Sequence, residues 1–244
     1  MIALQYLRSA VFVIQMYIAL PLFGLAYLPA TLRRDDGAMR AVQAYSRYVR
    51  RSARWLVGLH SEVRGEVPRG EAVIAAKHQS FFDIIMLASV LDKPRFVMKE
   101  ELTRTPVVGW FALRMGCIPV ERGKRGRAVT QMIQQVEADR GRAGQLIIYP
   151  QGTRVAPGVA VPYKTGAAVI YKALEQDCVP VAVNVGVFWP RGGILRRSGT
   201  AVIEFLEPIK PGLPRATFAE TLEHRVEERS NALMHEAGWR GIEG

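Results

Sequence analysis

At 244 residues the chain can bury a full core as one domain with room for an appendage. Its two cysteines, Cys117 and Cys178, fall in apolar runs and exclude a disulfide framework, and its four histidines, His60, His78, His224 and His235, lack ligand spacing, so no metal and no cofactor are predicted. A net charge of +11 calls for an acidic partner, either nucleic acid or an anionic membrane surface, and the 26 arginines against seven lysines suit phosphate on either one.

Position decides between the two. Residues 1–64 hold nine arginines against Asp35, Asp36 and Glu62, beside the most apolar part of the chain. From Ser9 to Leu32 there is no charged residue. As a helix this run would span roughly 36 Å, enough to cross a hydrocarbon core of about 30 Å. Pro21 and Gly24 interrupt its middle, which admits a dipping hairpin instead of a span. A cleaved signal peptide is the competing reading; a single N-terminal arginine and an overlong apolar run count against it. Arg33, Arg34, Arg40 and Arg47 place the C-terminal flank at the cytoplasmic face of the inner membrane. From Ala38 to Leu59 the pattern is helical, with Arg40, Arg47, Arg51 and Arg54 on one face and Val42, Tyr45, Val49 and Leu56 on the other, as for a helix lying in a lipid interface. Residues 1–57 are therefore read as a membrane-anchoring helical motif and 58–244 as a second domain. No nucleic-acid reader motif is present.

Beyond Gly58 strands and helices alternate. Strands are predicted at 59–64, 72–76, 95–99, 117–121, 145–149, 179–187 and 200–206. Helices are predicted at 81–91, 107–115, 128–140, 166–174 and around 218–235, the last with a stripe of Phe218, Leu222, Val226 and Leu233. The fold class is α/β: a mixed, largely parallel sheet flanked by helices.

In open α/β sheets the site lies beyond the carboxyl ends of the strands. His78 follows the strand 72–76. Asp83, five residues on across a strand-to-helix turn, can fold back on the imidazole, fix its tautomer and leave the other ring nitrogen as a general base. The same residues fit a helix capping box, with Ser80 at N-cap and Asp83 at N3, which requires no catalysis; the residues alone leave these readings level. Ser80 is the one nucleophile candidate in the stretch. Glu121-Arg122 follows the strand 117–121, and Gln151-Gly152-Thr153-Arg154 follows 145–149. Arg122 and Arg154 offer planar forks for an anion, Gly152 a close backbone approach and Thr153 a hydroxyl. Lys99 and Lys164 can add positive charge.

In order, Lys77-His-Gln-Ser-Phe-Phe-Asp83, Phe96-Val-Met-Lys99-Glu-Glu-Leu102, Pro106-Val-Val-Gly-Trp110, Gly116-Cys-Ile-Pro-Val-Glu-Arg122, Tyr149-Pro-Gln-Gly-Thr-Arg154 and Val179-Pro-Val-Ala-Val183 resemble the blocks of the glycerolipid acyltransferases, specifically 1-acylglycerol-3-phosphate acyltransferases of the PlsC type. The resemblance covers residues 58 to 210. It implies that His78 draws the proton from an acceptor hydroxyl as the oxygen attacks an acyl thioester directly, with Asp83 orienting the ring. It also implies that Arg122, Gly152, Thr153 and Arg154 hold the acceptor's phosphate. The partners it implies are a lysophospholipid acceptor and acyl-CoA or acyl carrier protein. Two positions depart from the pattern. Lys77 stands where asparagine is usual and Gln151 where glutamate is usual, a change of charge expected to reach the acceptor head group and to leave lyso-ornithine lipid, or another lysolipid, open as acceptor. A non-catalytic anionic-lipid-binding module is the reading outside enzymes.

Overall fold

The alternating apolar runs order themselves as expected in a computed structural model that describes residues 2–121, 133, 134 and 144–241. Two long helices come first, α1 (Ile2–Arg33) and α2 (Gly37–Val57). Then follow β1 (Leu59–Arg64), β2 (Ala72–Ala76), α3 (Phe81–Val90), β3 (Pro94–Lys99), α4 (Val108–Arg114), β4 (Ile118–Val120) and β5 (Gln145–Ile148). The chain continues through α5 (Gly166–Leu174), β6 (Cys178–Val183), β7 (Gly199–Phe205) and α6 (Arg215–Glu236). The helix predicted at 128–140 lies almost wholly outside the described residues.

The strands form one sheet in the order β1-β7-β6-β2-β5-β3-β4, parallel except where β6 meets β7. Every residue of β2, β5 and β6 is buried, as expected where helices cover both faces of a parallel sheet and a strand reads as a continuous apolar run. The alternation of side chains along β2 assigns the layers. Ala72, Ile74 and Ala76 face Tyr45, Val49, Phe82 and Met86 of α2 and α3. Val73 and Ala75 face Ile170 of α5 and Phe218, Leu222 and Val226 of α6, the stripe read from the sequence.

Of the two readings of the N-terminal run, the structure has the continuous helix: α1 runs without interruption through Pro21 and Pro29, no hairpin forms at Pro21–Gly24, and the chain turns at residues 34–36. The reason is tertiary packing, which overrides the local cost of proline. Gly24 is a point of close approach: a Cβ there would lie 3.0 Å from Val107 Cγ1. Phe23 packs edge-on to Tyr45 at 5.8 Å between ring centroids. Near the amino end, Gln5 Nε2 donates to Val57 O at 3.0 Å and Arg196 O at 2.7 Å, and Phe12 meets Trp189 edge-on at 5.4 Å. Near the carboxyl end, Arg114 Nη1 donates to Thr31 O at 3.0 Å. One side of α1 is thus held by the domain along its length. The apolar side of α2 is likewise covered by protein, with Ala41, Tyr45, Val49 and Ala53 buried.

Candidate active site

At the carboxyl end of β2 the period of the strand carries on for two residues and sends neighbouring side chains to opposite layers. Lys77 turns towards α6 and His78 towards Tyr149, whose ring stacks on the imidazole at 4.0 Å and 21°. Ser80 then opens α3. Its Oγ accepts from Phe82 N at 3.1 Å, and Asp83 Oδ2 accepts from Ser80 N at 2.8 Å and Gln79 N at 2.9 Å, completing a capping box.

The other carboxylate oxygen, Asp83 Oδ1, lies 2.9 Å from His78 Nδ1. Asp83 thus makes both contacts, the cap through one oxygen and the histidine through the other. Because Asp83 accepts at Nδ1, that nitrogen carries the proton and Nε2 is left as the basic atom. Asp83 is fully buried, whereas the His78 side chain keeps 12% of its surface. Ser80 is fully buried and engaged in the cap, so it is not a nucleophile facing solvent.

The loop after β5 wraps the same histidine. Val155 N donates to His78 O at 2.8 Å. Gly152 adopts φ +67°, where a side chain is strained, and the space its Cβ would fill is occupied by Lys164, with Nζ at 2.8 Å. The loop that carries Gly152, Thr153 and Arg154 is therefore joined to the His78 main chain at its end, Val155. Lys99 is exposed at the end of β3, next to Val120 of β4 in register and separated from β2 by β5. Arg122 lies outside the described residues.

The departure at Lys77 does not act as expected. The Lys77 ammonium is 2% exposed and paired with Glu227 Oε2 of α6, so its charge is neutralised behind the site and not added to it. Glu227 Oε1 accepts from Tyr163 OH at 3.0 Å, and the buried Gln151 turns its Nε2 to the same oxygen at 3.5 Å. Both departures thus belong to one interior network centred on Glu227. No local signal marks Glu227, 150 residues from Lys77 in a run of charged residues.

Tyr149 was also without an assigned role in the sequence. Burial, and then the charge of Asp83, push its phenol well above the ordinary value, so it is a neutral plate beneath the imidazole. Its buried hydroxyl lies near Asp83 but makes no hydrogen bond of regular geometry among the described residues. Tyr149→Phe is expected to keep the stack and to raise stability by about 1 kcal/mol, because an unsatisfied buried group is removed. A urea midpoint below that of the parent would contradict this.

A family model described as acyltransferase matches residues 60–184, just over half of the chain and all three strand ends described above. The chain belongs to the acyltransferase family. Among acyltransferases similar to it, a 1-acyl-sn-glycerol-3-phosphate acyltransferase of Pseudomonas aeruginosa is 28% identical over 65% of this chain and 63% of its own length. The chain thus spans less than two thirds of that relative. A lyso-ornithine lipid O-acyltransferase of the same organism is 32% identical over 71% of this chain and 74% of its own length. The acyltransferase fold is matched by the crystal structure of the 1-acyl-sn-glycerophosphate acyltransferase PlsC of Thermotoga maritima. Its TM-score is 0.78 at 19% identity, covering 93% of this chain and 95% of that one.

Proposed function

We propose that this acyltransferase moves a fatty acyl group from a thioester to the free hydroxyl of lysophosphatidic acid, with His78 as general base. The observation that carries the reading is the Asp83 carboxylate, fixed through Oδ2 by two main-chain N–H groups and presenting Oδ1 to His78 Nδ1 at 2.9 Å. A rigid acceptor on one ring nitrogen makes the other a positioned base. In the reaction, His78 Nε2 takes the hydroxyl proton as the oxygen bonds to the thioester carbonyl carbon. The tetrahedral intermediate expels the thiolate, and the imidazolium returns the proton to sulfur. Main-chain donors around Gly152 steady the developing oxyanion. The donor is acyl-CoA or acyl carrier protein.

Lysophosphatidic acid is favoured as acceptor because neither departure from the family pattern changes the charge facing it. Lys77 is neutralised by Glu227 and Gln151 is buried, while the loop that carries Arg154 is bonded to the His78 carbonyl through Val155. The 32% identity to a lyso-ornithine lipid O-acyltransferase supports the second reading. Assaying the purified full chain with acyl-CoA and with acyl carrier protein as donors, against both lysolipids, decides between them. Product from lyso-ornithine lipid alone would replace the first reading with the second, and no transfer with any pair would remove both.

The site works at a membrane surface in this reading, on the cytoplasmic face. The helix α1 is long and apolar enough to cross a bilayer, yet only 17% of its most apolar window is buried. Leu7, Ile14, Ile18 and Leu25, spaced along one face of the helix, are all exposed, while Ser9, Phe12, Met16 and Ala19 face the domain. A helix held along one side by its own domain lies in one leaflet and does not span. Ile14→Glu with Ile18→Glu is expected to weaken liposome partitioning by roughly 10²- to 10⁴-fold, from the loss of about 1.5–3 kcal/mol for each buried isoleucine. Unchanged co-sedimentation with liposomes would exclude α1 as the anchor.

A further inference from the structure

We propose that Arg154 and Arg191 form a two-arginine clamp for the phosphate monoester of the acceptor, an inference that rests on the reading of lysophosphatidic acid as substrate. Arg154 lies past the end of β5, and Arg191 lies in the loop that leads from β6 through the 3-10 turn Val185–Val187 to β7. The strands β5 and β6 flank β2 on its two sides, so the arginines straddle the strand that carries His78. Both loops are fastened to the histidine loop itself: Val155 N donates to His78 O at 2.8 Å, and Gly186 N donates to Gln79 Oε1 at 3.0 Å.

The two side chains reach across to one another. Arg154 Nη1 donates to Arg191 O at 3.5 Å, and Arg191 Nη1 donates to Arg154 O at 3.3 Å. These bonds orient the guanidiniums without neutralising them, and among the described residues no carboxylate pairs with either. Two like charges drawn together in this way are stabilised by an anion between them. Each guanidinium uses one N–H on the neighbouring carbonyl and keeps four, enough for a forked contact from either side. A phosphate monoester carries up to two negative charges at neutral pH and matches two arginines, whereas the single charge of a membrane phosphodiester does not. The loop is also braced by α1, since Arg196 N donates to Ser9 Oγ on the domain side of that helix at 2.9 Å.

The test measures the Michaelis constants for acceptor and donor, kcat, and liposome partitioning for the full chain and its Arg191→Ala and Arg191→Lys variants. Arg191→Ala is expected to raise the acceptor KM roughly 10- to 100-fold with little change in kcat, donor KM or partitioning. Arg191→Lys should fall between, because an ammonium keeps the charge and loses the fork. Thermal melting in glycerol 3-phosphate supplies a readout that needs no turnover: the parent should be protected and Arg191→Ala should not. Protection that depends on Arg191 in a parent that transfers no acyl group would keep the clamp and overturn the proposed reaction. An active parent whose acceptor KM is untouched by Arg191→Ala would overturn the clamp. So would an effect confined to donor KM, as for a coenzyme phosphate site, or to partitioning, as for bulk lipid.

Discussion

His78→Ala is expected to lower kcat about 10²- to 10⁴-fold while costing less stability than Asp83→Asn. The side chain is partly exposed, and the oxygen of Asp83 that caps α3 is not the one that faces the ring. Two companion variants separate catalysis from capping. Ser80→Ala removes the acceptor for Phe82 N and should cost about 1 kcal/mol of stability with activity largely kept. Asp83→Asn should lose both. An amide must turn either its NH₂ towards the main-chain N–H groups of Gln79 and Ser80, leaving buried donors facing a donor, or its NH₂ towards Nδ1, which forces the imidazole into the wrong tautomer. Activity within tenfold of the parent in His78→Ala would remove the base from the mechanism. Equal stability loss in His78→Ala and Asp83→Asn would reduce the pair to a structural contact.

The largest effect on stability is expected at Glu227. Glu227→Gln leaves the Lys77 ammonium buried without its counter-charge, a loss of about 3–5 kcal/mol. Lys77→Met should cost less. Glu227 is 27% exposed and keeps its bond from Tyr163, so its charge is partly solvated when the lysine is gone. The double variant Lys77→Met, Glu227→Gln should recover most of the loss of Glu227→Gln alone, giving a coupling of at least about 1 kcal/mol in urea unfolding. Additive losses would mean that the two groups act independently and that the ion pair contributes nothing. The interior network also ties the C-terminal helix to both site loops, so kcat should fall in Glu227→Gln and return in the double variant.

These variants mark how far the sequence could be read. His78 and Asp83 were legible because both lie within one strand-to-helix turn, and the capping box, the tautomer and the helix start are all local. The bounds of β2 and β5 were legible for the same reason, each being a continuous apolar run closed by turn residues. By contrast β6 ends at Val183, and the rest of the strand predicted at 179–187 holds the 3-10 turn Val185–Val187, because an unbroken apolar run does not mark where pairing stops. What was not legible came from distance. Nothing near Lys77 announces Glu227, and without it the lysine looks like charge added to the substrate site. Nothing near Pro21 announces that Tyr45 and Val107 pack around that part of α1, so a proline read as a breaker sits inside a continuous helix. The antiparallel placement of β7 beside β6 follows from tertiary closure and has no counterpart in residue pattern. Tyr149 was visible as a residue, but its stacking on His78 required the loop after β5 to fold back over β2.

The position of β1 has a consequence in time. It sits at the sheet edge and, among the described residues, pairs only with β7, in register from Leu59 with Gly199 to Arg64 with Glu204. Gln5, near the start of α1, is bonded to Arg196, 191 residues later. Contacts so far apart in the chain form late, and a sheet that depends on them folds slowly. During synthesis α1 and α2 emerge together and can pack on each other through Phe23 and Tyr45, but Trp189 and Arg196, which cover the amino end of α1, come more than 130 residues later. The amino end of α1 therefore waits longest for its cover, and its docking belongs to the last step of folding, together with the closing of β7 on β1.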